Sequence, residues 1–497
     1  MNKVLKYVQK SKIINLRRCM SSSTIYSLSS GYGKCGVSVI RVSGAQTKQA
    51  IQSITASKSE PRPRHAALKT FYYPQTNEII DRGLLLWFPG PASFTGEDCC
   101  EFQVHGSLAV VSAMLDALGR VPDLRHAEPG EFTRRAFFEG KLDLTEVDGL
   151  ADLIHAETEE QRKQALLQST GALSRIYGDW RTRLIRCAAH LEAYIDFAED
   201  DNIEDDVLTS MTQELKIIAK EISAHLNDQR QGELLRDGVR TVIVGAPNVG
   251  KSSFLNIMCR REVSIVTPLA GTTRDIIEST HNFSGYPVVF LDTAGLRLQT
   301  DDVIEREGID RAKQCIGRGD LILLIMDSEV LLKNKVCTQE QLLAYTKLYT
   351  AELGLDDNTL QGKRIQLIAN KIDLLTSEQL EQLTKLKNIL LISCKSDLNL
   401  TAFLRDFQKL IVDICGQPST ERPRITHARY RQQFERCIEY INIYLSDYTP
   451  DVFPDMAIAA HKLRHAVKCI ERITGHVSTD DILDVVFRDF CIGVWPI

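Results

Sequence analysis

The stretch GAPNVGKSS, from Gly245 to Ser253, has the composition and spacing of a phosphate-binding loop. Its glycines allow backbone N–H groups to turn toward phosphate oxygens, and Lys251 can bring a positive charge to the outer phosphates during catalysis. The hydroxyl of Ser252 can coordinate Mg²⁺. The sequence therefore predicts that a nucleoside phosphate binds here. The predicted contacts are Gly245, Asn248, Val249, Gly250, Lys251, Ser252 and Ser253.

Two motifs further along the chain predict the surroundings of the magnesium ion and the γ-phosphate. DTAG (292–295) follows the apolar run PVVFL, which places Asp292 near the magnesium shell and Gly295 at the γ-phosphate. GTTRD (271–275) precedes it, at the position where a switch threonine would close on the ion. We assign that role to Thr273, so that Ser252 and Thr273 are the predicted magnesium ligands.

The motif NKID (370–373) predicts that the base is guanine. The Asp373 carboxylate can accept hydrogen bonds from both N1–H and the exocyclic amine of guanine, which adenine does not offer. ATP is disfavoured because Asp373 would then be desolvated without a donor. We therefore predict GTP as the ligand. The predicted contacts to the base are Asn370, Lys371, Asp373, Ser393 and Lys395.

The residue after DTAG raises the question of how water is activated. GTPases of the Ras type use a glutamine there to orient the attacking water, but this chain has Leu296, which cannot do so. Another group must supply that function. Asn248 and the segment 267–275 resemble GTPases that bind K⁺ beside the phosphates in place of an arginine finger. The alternative role of Asn248 is a hydrogen bond that only shapes the loop.

Five short apolar runs alternate with helical patterns around these motifs, which predicts a doubly wound, mostly parallel sheet. The segment before it begins with β-branched alternation and glycines, typical of an α+β unit. Long helical periodicity flanks the sheet on both sides, so we predict that the GTPase is inserted into a helical domain. The predicted segments are 1–22 (presequence), 23–140 (N-terminal α+β domain), 141–236 (helical), 237–415 (GTPase) and 416–497 (helical).

Composition excludes several classes of protein. The chain of 497 residues has a formal net charge of -5, so no overall positive field gathers nucleic acid. No apolar run reaches the roughly 18 residues of a membrane span. The 13 cysteines form no C-x-x-C pair, which indicates free thiols in a reducing compartment.

The N-terminus predicts import into mitochondria, with the matrix as destination. The first 59 residues contain no Asp or Glu, and Lys3, Lys6 and Lys10 share one helical face opposite apolar side chains. This pattern is typical of a mitochondrial transit peptide. A disordered basic tail is the alternative.

Six further motifs lie outside the GTPase segment: SFTGED (93–98), GEFTRRAF (130–137), GKLDL (140–144), ADLIHAET (151–158), ITGHVSTDDIL (473–483) and FCIG (490–493). Together with the nucleotide-binding motifs, they resemble the MnmE (TrmE) family of tRNA-modifying GTPases in its mitochondrial form. The resemblance implies an N-terminal domain that binds folate and forms a homodimer, a helical domain and an inserted GTPase. It also implies an FAD-dependent partner of the MnmG type and a mitochondrial tRNA whose wobble uridine receives a taurinomethyl group at C5.

The resemblance also assigns residues. A K⁺ ion would be held by the Asn248 side chain and by backbone oxygens of Thr267, Leu269 and Thr272. Glu305 would position the attacking water through a second water, although on its own it reads as a solvated helix charge. A reduced folate, 5-formyl- or 5,10-methylenetetrahydrofolate, would contact Arg41, Glu101 and Lys141, which could otherwise be ordinary surface ions.

The C-terminus departs from the family pattern, which ends in a lysine after F-C-[IL]-G. Here FCIG is followed by Val494, Trp495, Pro496 and Ile497. Cys491 is assigned to the folate pocket as a catalytic candidate, and a buried thiol at a helix end is the alternative. The competing function for the whole chain is a regulatory or assembly GTPase whose flanking domains only bind partners.

Overall fold

The computed structural model describes residues 23–197, 206–261, 264–265, 278–291, 315–355, 360–419, 421, 423–447 and 456–476. These residues divide into two compact units. The first lies within Met1–Ala151, Gln168–Thr182 and Val467–Ile497, and the second within Asp152–Leu167 and Arg183–Ala466.

The strands form two separate sheets. In the first unit the order is β3-β4-β5-β2-β1-β6, and in the second it is β13-β12-β11-β7-β10-β9-β8. The strands are β1 (Thr24–Leu28), β2 (Cys35–Ser43), β3 (Ala67–Tyr72), β4 (Ile79–Phe88), β5 (Cys99–Gly106), β6 (Leu124–His126), β7 (Val239–Val244), β8 (Ser264–Ile265), β9 (Glu278–Phe283), β10 (Tyr286–Leu291), β11 (Leu321–Asp327), β12 (Arg364–Asn370) and β13 (Ile389–Leu391).

Helices connect the strands and extend beyond the two sheets. They are α1 (Thr47–Thr55), α2 (Leu108–Gly119), α3 (Glu131–Phe138), α4 (Leu144–His155), α5 (Glu159–Ser169), α6 (Ala172–Phe197), α7 (Asp206–Leu226), α8 (Gln231–Asp237), α9 (Lys251–Arg261), α10 (Ser328–Lys333), α11 (Gln339–Glu352), α12 (Ser377–Thr384), α13 (Leu400–Cys415), α14 (Ala428–Asp447) and α15 (Met456–Thr474), with a short 3-10 helix at Ile372–Leu374. A search of the helices in the described ranges finds none with both the length and the apolar character of a membrane span.

The first sheet is the centre of the predicted α+β domain. Its strands pair antiparallel, except that β1 and β6 are parallel. Alternation along β5 buries Cys100, Phe102 and Val104 on the face that α1 and α2 cover, as expected for a sheet with one apolar face. Helix α2 begins at a Ser107 cap, whose hydroxyl accepts from the Val110 N–H.

The second sheet confirms the predicted doubly wound GTPase fold. The strands from β13 through β12, β11 and β7 to β10 are parallel, and β9 and β8 add antiparallel pairs at one edge. The central strands β10 and β11 are almost wholly buried because helices cover both faces. One face packs on α9 and α13 through stacked and edge-to-face phenylalanines, including Phe254 and Phe403 with centroids 5.4 Å apart.

Helices that precede and follow the GTPase sheet in sequence pack on each other within the second unit. Helix α7 contacts α14, and His225 meets Phe434 edge to face at 6.0 Å between ring centroids. The Arg431 guanidinium on α14 binds Glu233 of α8 at 2.7 Å and Asp228 at 2.5 Å. The chain therefore leaves and re-enters the helical region at neighbouring points.

Candidate functional site

The phosphate-binding loop occupies the turn between β7 and α9, at the carboxyl end of a central parallel strand. Gly245 starts it with no room for a side chain, since a Cβ there would lie 2.4 Å from the Ile325 carbonyl oxygen of β11. Asn248 has φ +62° and Gly250 has φ +100°, so both adopt left-handed backbone conformations. A Cβ on Gly250 would lie 2.3 Å from Asn370 Nδ2. The glycine spacing is thus required by close backbone approaches.

Lys251 lies over the loop that it follows. Its Nζ donates to the carbonyl oxygens of Gly245 at 2.7 Å and Ala246 at 2.8 Å. Burial lowers the pKa of Lys251 from its ordinary value. Ser252 and Ser253 are exposed in the first turn of α9, where N–H groups and the helix dipole favour an anion. The arrangement fits phosphates: an amide-lined turn, a half-buried ammonium group and exposed hydroxyls for a cation.

The base-binding motif is tied directly to this loop. Asn370 ends β12, and its Nδ2 donates to the Val249 carbonyl at 2.8 Å while its Oδ1 accepts from the Cys394 N–H at 3.0 Å. One buried amide therefore joins the phosphate loop, β12 and the SCK motif (393–395). Burial raises the pKa of the Cys394 thiol to about 11, so this cysteine stays protonated.

The Asp373 carboxylate is oriented by Ser393, the first residue of the SCK motif. Ser393 Oγ donates to Asp373 Oδ1 at 2.5 Å, and the same oxygen, Ser393 Oγ, accepts from the Lys395 N–H at 3.3 Å. Lys371 stands in a left-handed conformation with φ +67°, and its Nζ binds Asp327 Oδ2 at 2.7 Å. The structure thus brings together the predicted residues of the loop, NKID and SCK, in an arrangement that can hold a guanine nucleotide.

Several predicted residues of this site and of the folate pocket lie outside the described residues, and their roles remain predictions. They are Thr267, Leu269, Thr272, Thr273, Asp292, Gly295, Glu305 and Cys491.

The predicted folate contacts surround one loop of the first unit. Arg41 on β2 and Glu101 on β5 are cross-strand partners, and they form an ion pair at 2.9 Å with each side chain partly exposed. The Arg41 guanidinium lies 5.1 Å from the centroid of the Phe94 ring. Lys141 is exposed, and its Cε would lie 3.4 Å from a Cβ built on Gly96. Phe94 and Gly96 both belong to SFTGED, so all three charged residues border this motif.

A buried ionic cluster joins charged residues of two sequence motifs, SFTGED and GEFTRRAF. Arg135 of GEFTRRAF is 3% exposed, and its guanidinium binds Glu97 of SFTGED at 3.0 Å and Glu131 at 2.9 Å. Burial alone would raise the pKa of Glu131, but hydrogen bonds from Arg125 and Arg135 lower it below its ordinary value. The i,i+4 spacing of Glu131 and Arg135 was the one available signal; the pairing with Glu97 is tertiary.

The fold and the site together define a P-loop GTPase, because a phosphate loop after a central parallel strand is joined to a guanine-specific motif at the next strand ends. Comparison with known families extends this result. The profile described as "GTP-binding protein TrmE N-terminus" matches residues 24–141, and the profile "MnmE helical domain" matches residues 144–491. The chain belongs to the MnmE/TrmE family of tRNA modification GTPases.

Individual relatives agree with this assignment over nearly the whole chain. The mitochondrial 5-taurinomethyluridine tRNA synthase subunit GTPB3 of Danio rerio is 47% identical, covering 95% of this chain and 93% of the relative. The protein of the same name from Homo sapiens is 45% identical, covering 95% and 94%. The tRNA modification GTPase MnmE of Rickettsia bellii is 39% identical, covering 95% and 99%.

Proposed function

We propose that this chain is the GTP-hydrolysing subunit of a complex that modifies C5 of the wobble uridine in mitochondrial tRNAs, producing 5-taurinomethyluridine. The observation that carries the proposal is the similarity to the Danio rerio synthase subunit over 95% of the chain. That span includes the nucleotide site of the second unit and the Arg41–Glu101 region of the first. Both sites are therefore compared with a protein that is named for this modification.

The contacts of the described residues support a distinct role in GTP binding for each of them. Asn370 fixes the phosphate loop against the base-binding motif, and Ser393 orients the Asp373 carboxylate for the two guanine donors. Lys251 Nζ, which donates to two loop carbonyls, would exchange those contacts for phosphate oxygens. Mg²⁺ would be held by the exposed Ser252 hydroxyl together with Thr273, and it would neutralise charge on the phosphates.

Potassium would replace the arginine finger. The left-handed Asn248 is exposed at the tip of the loop, where its side chain can contribute one ligand without disturbing the neighbouring turn. Backbone oxygens of Thr267, Leu269 and Thr272 would supply the rest. Glu305 would orient the water that Leu296 cannot. A Glu305→Ala protein that lost GTP affinity but kept its turnover would contradict this role.

A reduced folate would bind beside SFTGED and supply the one-carbon unit. Glu101 can accept from the N–H donors of a pterin ring, while Arg41 and Lys141 can bind carboxylates. The Phe94 ring beside Arg41 offers an apolar surface to a planar ligand. Cys491 would complete the proposed pocket. This chemistry fits the residues present, because the ion pair of Arg41 and Glu101 is partly exposed and so remains accessible.

The remaining parts of the proposal concern partners and location. We include an FAD-dependent protein of the MnmG type, a homodimer formed through the N-terminal domain, and import into the mitochondrial matrix with removal of residues 1–22. The domain limits proposed are 23–140, 141–236, 237–415 and 416–497. The names of the Danio rerio and Homo sapiens relatives, which include the words "subunit" and "mitochondrial", support a complex in that organelle.

Mass spectrometry of wobble nucleosides tests the proposal. Mitochondrial tRNAs from cells that lack this chain should lose 5-taurinomethyluridine and recover it when the wild-type chain is expressed. Expression of Asp373→Asn, which impairs guanine recognition, should restore less. Unchanged levels of the modified nucleoside in cells lacking the chain would instead favour a regulatory or assembly GTPase.

A further inference from the structure

A tyrosine far from the nucleotide motifs in sequence contacts the first peptide of the phosphate-binding loop. Tyr349 lies near the end of α11 and is 6% exposed. Its hydroxyl accepts from the Ala246 N–H at 2.7 Å and donates to the Ile325 carbonyl of β11 at 2.9 Å. Burial raises the pKa of Tyr349 to about 12, so the hydroxyl keeps its proton and can make both bonds at neutral pH.

The two groups that Tyr349 joins belong to the point where the loop leaves the sheet. Gly245 packs so closely on the Ile325 carbonyl that a Cβ would not fit. Lys251 Nζ donates to the carbonyls of Gly245 and Ala246. The start of the loop is therefore fixed by a lysine that is needed for the phosphates and by a phenol that is not.

We propose that Tyr349 is a positioning residue of the GTPase, which fixes the start of the phosphate-binding loop on β11 so that its N–H groups are arranged before the nucleotide binds. A preorganised loop binds more tightly because less ordering is required on binding. The effect acts equally on substrate and transition state, since Tyr349 contacts the loop and not the reacting atoms. It therefore alters binding and not the chemical step.

Tyr349→Phe removes only the hydroxyl and leaves the Ala246 N–H and the Ile325 carbonyl without this partner. We expect GDP and GTP dissociation constants to rise by roughly tenfold, because the variant must order the loop on binding nucleotide without this buried hydrogen bond. The KM for GTP should rise by a similar factor, while kcat at saturation stays within about twofold. Tyr345→Phe is the matched control, because that ring stacks on Tyr349 at 5.9 Å but makes neither bond.

Three results would overturn the proposal. The first is a folded Tyr349→Phe protein with unchanged nucleotide affinity. The second is a loss of kcat with unchanged KM, and the third is an equal loss of affinity in Tyr345→Phe. A measurement on the wild-type chain covers the case in which the variant does not fold: the Ala246 amide should exchange slowly with D₂O in nucleotide-free protein. Rapid exchange there would show that the phenol does not hold the loop.

Discussion

In the phosphate-binding loop most of the close contacts involve backbone atoms, whereas the N-terminal domain builds its charged region from side chains that pair with one another. Gly245 and Gly250 bring backbone against Ile325 and Asn370. Arg135, by contrast, is buried between Glu97 and Glu131. A site made from backbone can direct amide donors toward a ligand without pairing charged side chains with one another. A cluster of paired side chains has already used its charges on the fold.

The Arg41–Glu101 pair lies between these extremes. It is an ion pair like the Arg135 cluster, but the side chains are 25% and 19% exposed, against 3% for Arg135. An anionic and donor-rich ligand can therefore share both groups at a modest desolvation cost. Buried charged residues of the N-terminal domain thus stabilise its fold, whereas partly exposed ones can also bind a ligand.

The largest effect should come from potassium. GTP hydrolysis should fall on the order of 10³-fold when NaCl replaces KCl at equal ionic strength, because the smaller ion cannot span Asn248, backbone oxygens and phosphate. Asn248→Gly should remove the K⁺ stimulation while preserving the backbone, since glycine tolerates φ +62°. Equal rates in the two salts would contradict the proposed potassium site at Asn248.

Removing Arg135 should destabilise the N-terminal domain without weakening the binding of GTP. Arg135→Ala removes the buried guanidinium that binds Glu97 and Glu131, while Arg125 still binds Glu131. The expected cost is about 3 kcal/mol in the free energy of unfolding. Denaturant titration measures this directly. Arg120→Ala is the control, because its i,i+4 pair with Asp116 is exposed and should contribute below about 0.5 kcal/mol. Similar losses in both variants would contradict the distinction between the two kinds of charge.

Guanine selectivity should depend on the Asp373 carboxylate. In Asp373→Asn, discrimination between GTP and ITP, which lacks the exocyclic amine, should fall by about 1–3 kcal/mol. Competition against a fluorescent GDP measures it. Glu378→Gln, which changes an acid in the first turn of α12, should leave selectivity intact. Unchanged discrimination between GTP and ITP in the Asp373 variant would show that Asp373 does not bind the base.

The same difference explains what the sequence could predict. The loop, NKID and SCK are short local motifs whose backbone conformations depend on particular residues, so they predict the P-loop GTPase fold. Equally local motifs outside the GTPase, such as SFTGED and GEFTRRAF, indicate the family. The pairing of Arg135 with Glu97 joins positions 38 residues apart, and it could not be read from local spacing. Tyr349 lies 103 residues from Ala246, and the helical pattern around this tyrosine gives no signal of its hydrogen bonds.

Calorimetric titration of the full chain with 5-formyltetrahydrofolate tests most directly whether the N-terminal domain is a second ligand site, which separates a modification enzyme from a regulatory GTPase. We expect saturable binding of the folate. Glu101→Gln should weaken it roughly 10-fold or more through loss of a charged hydrogen bond. Glu60→Gln, which alters an exposed pair with Lys48, should bind like the wild type. Absence of binding by the folded wild-type chain, or equal affinity in Glu101→Gln, would contradict the account.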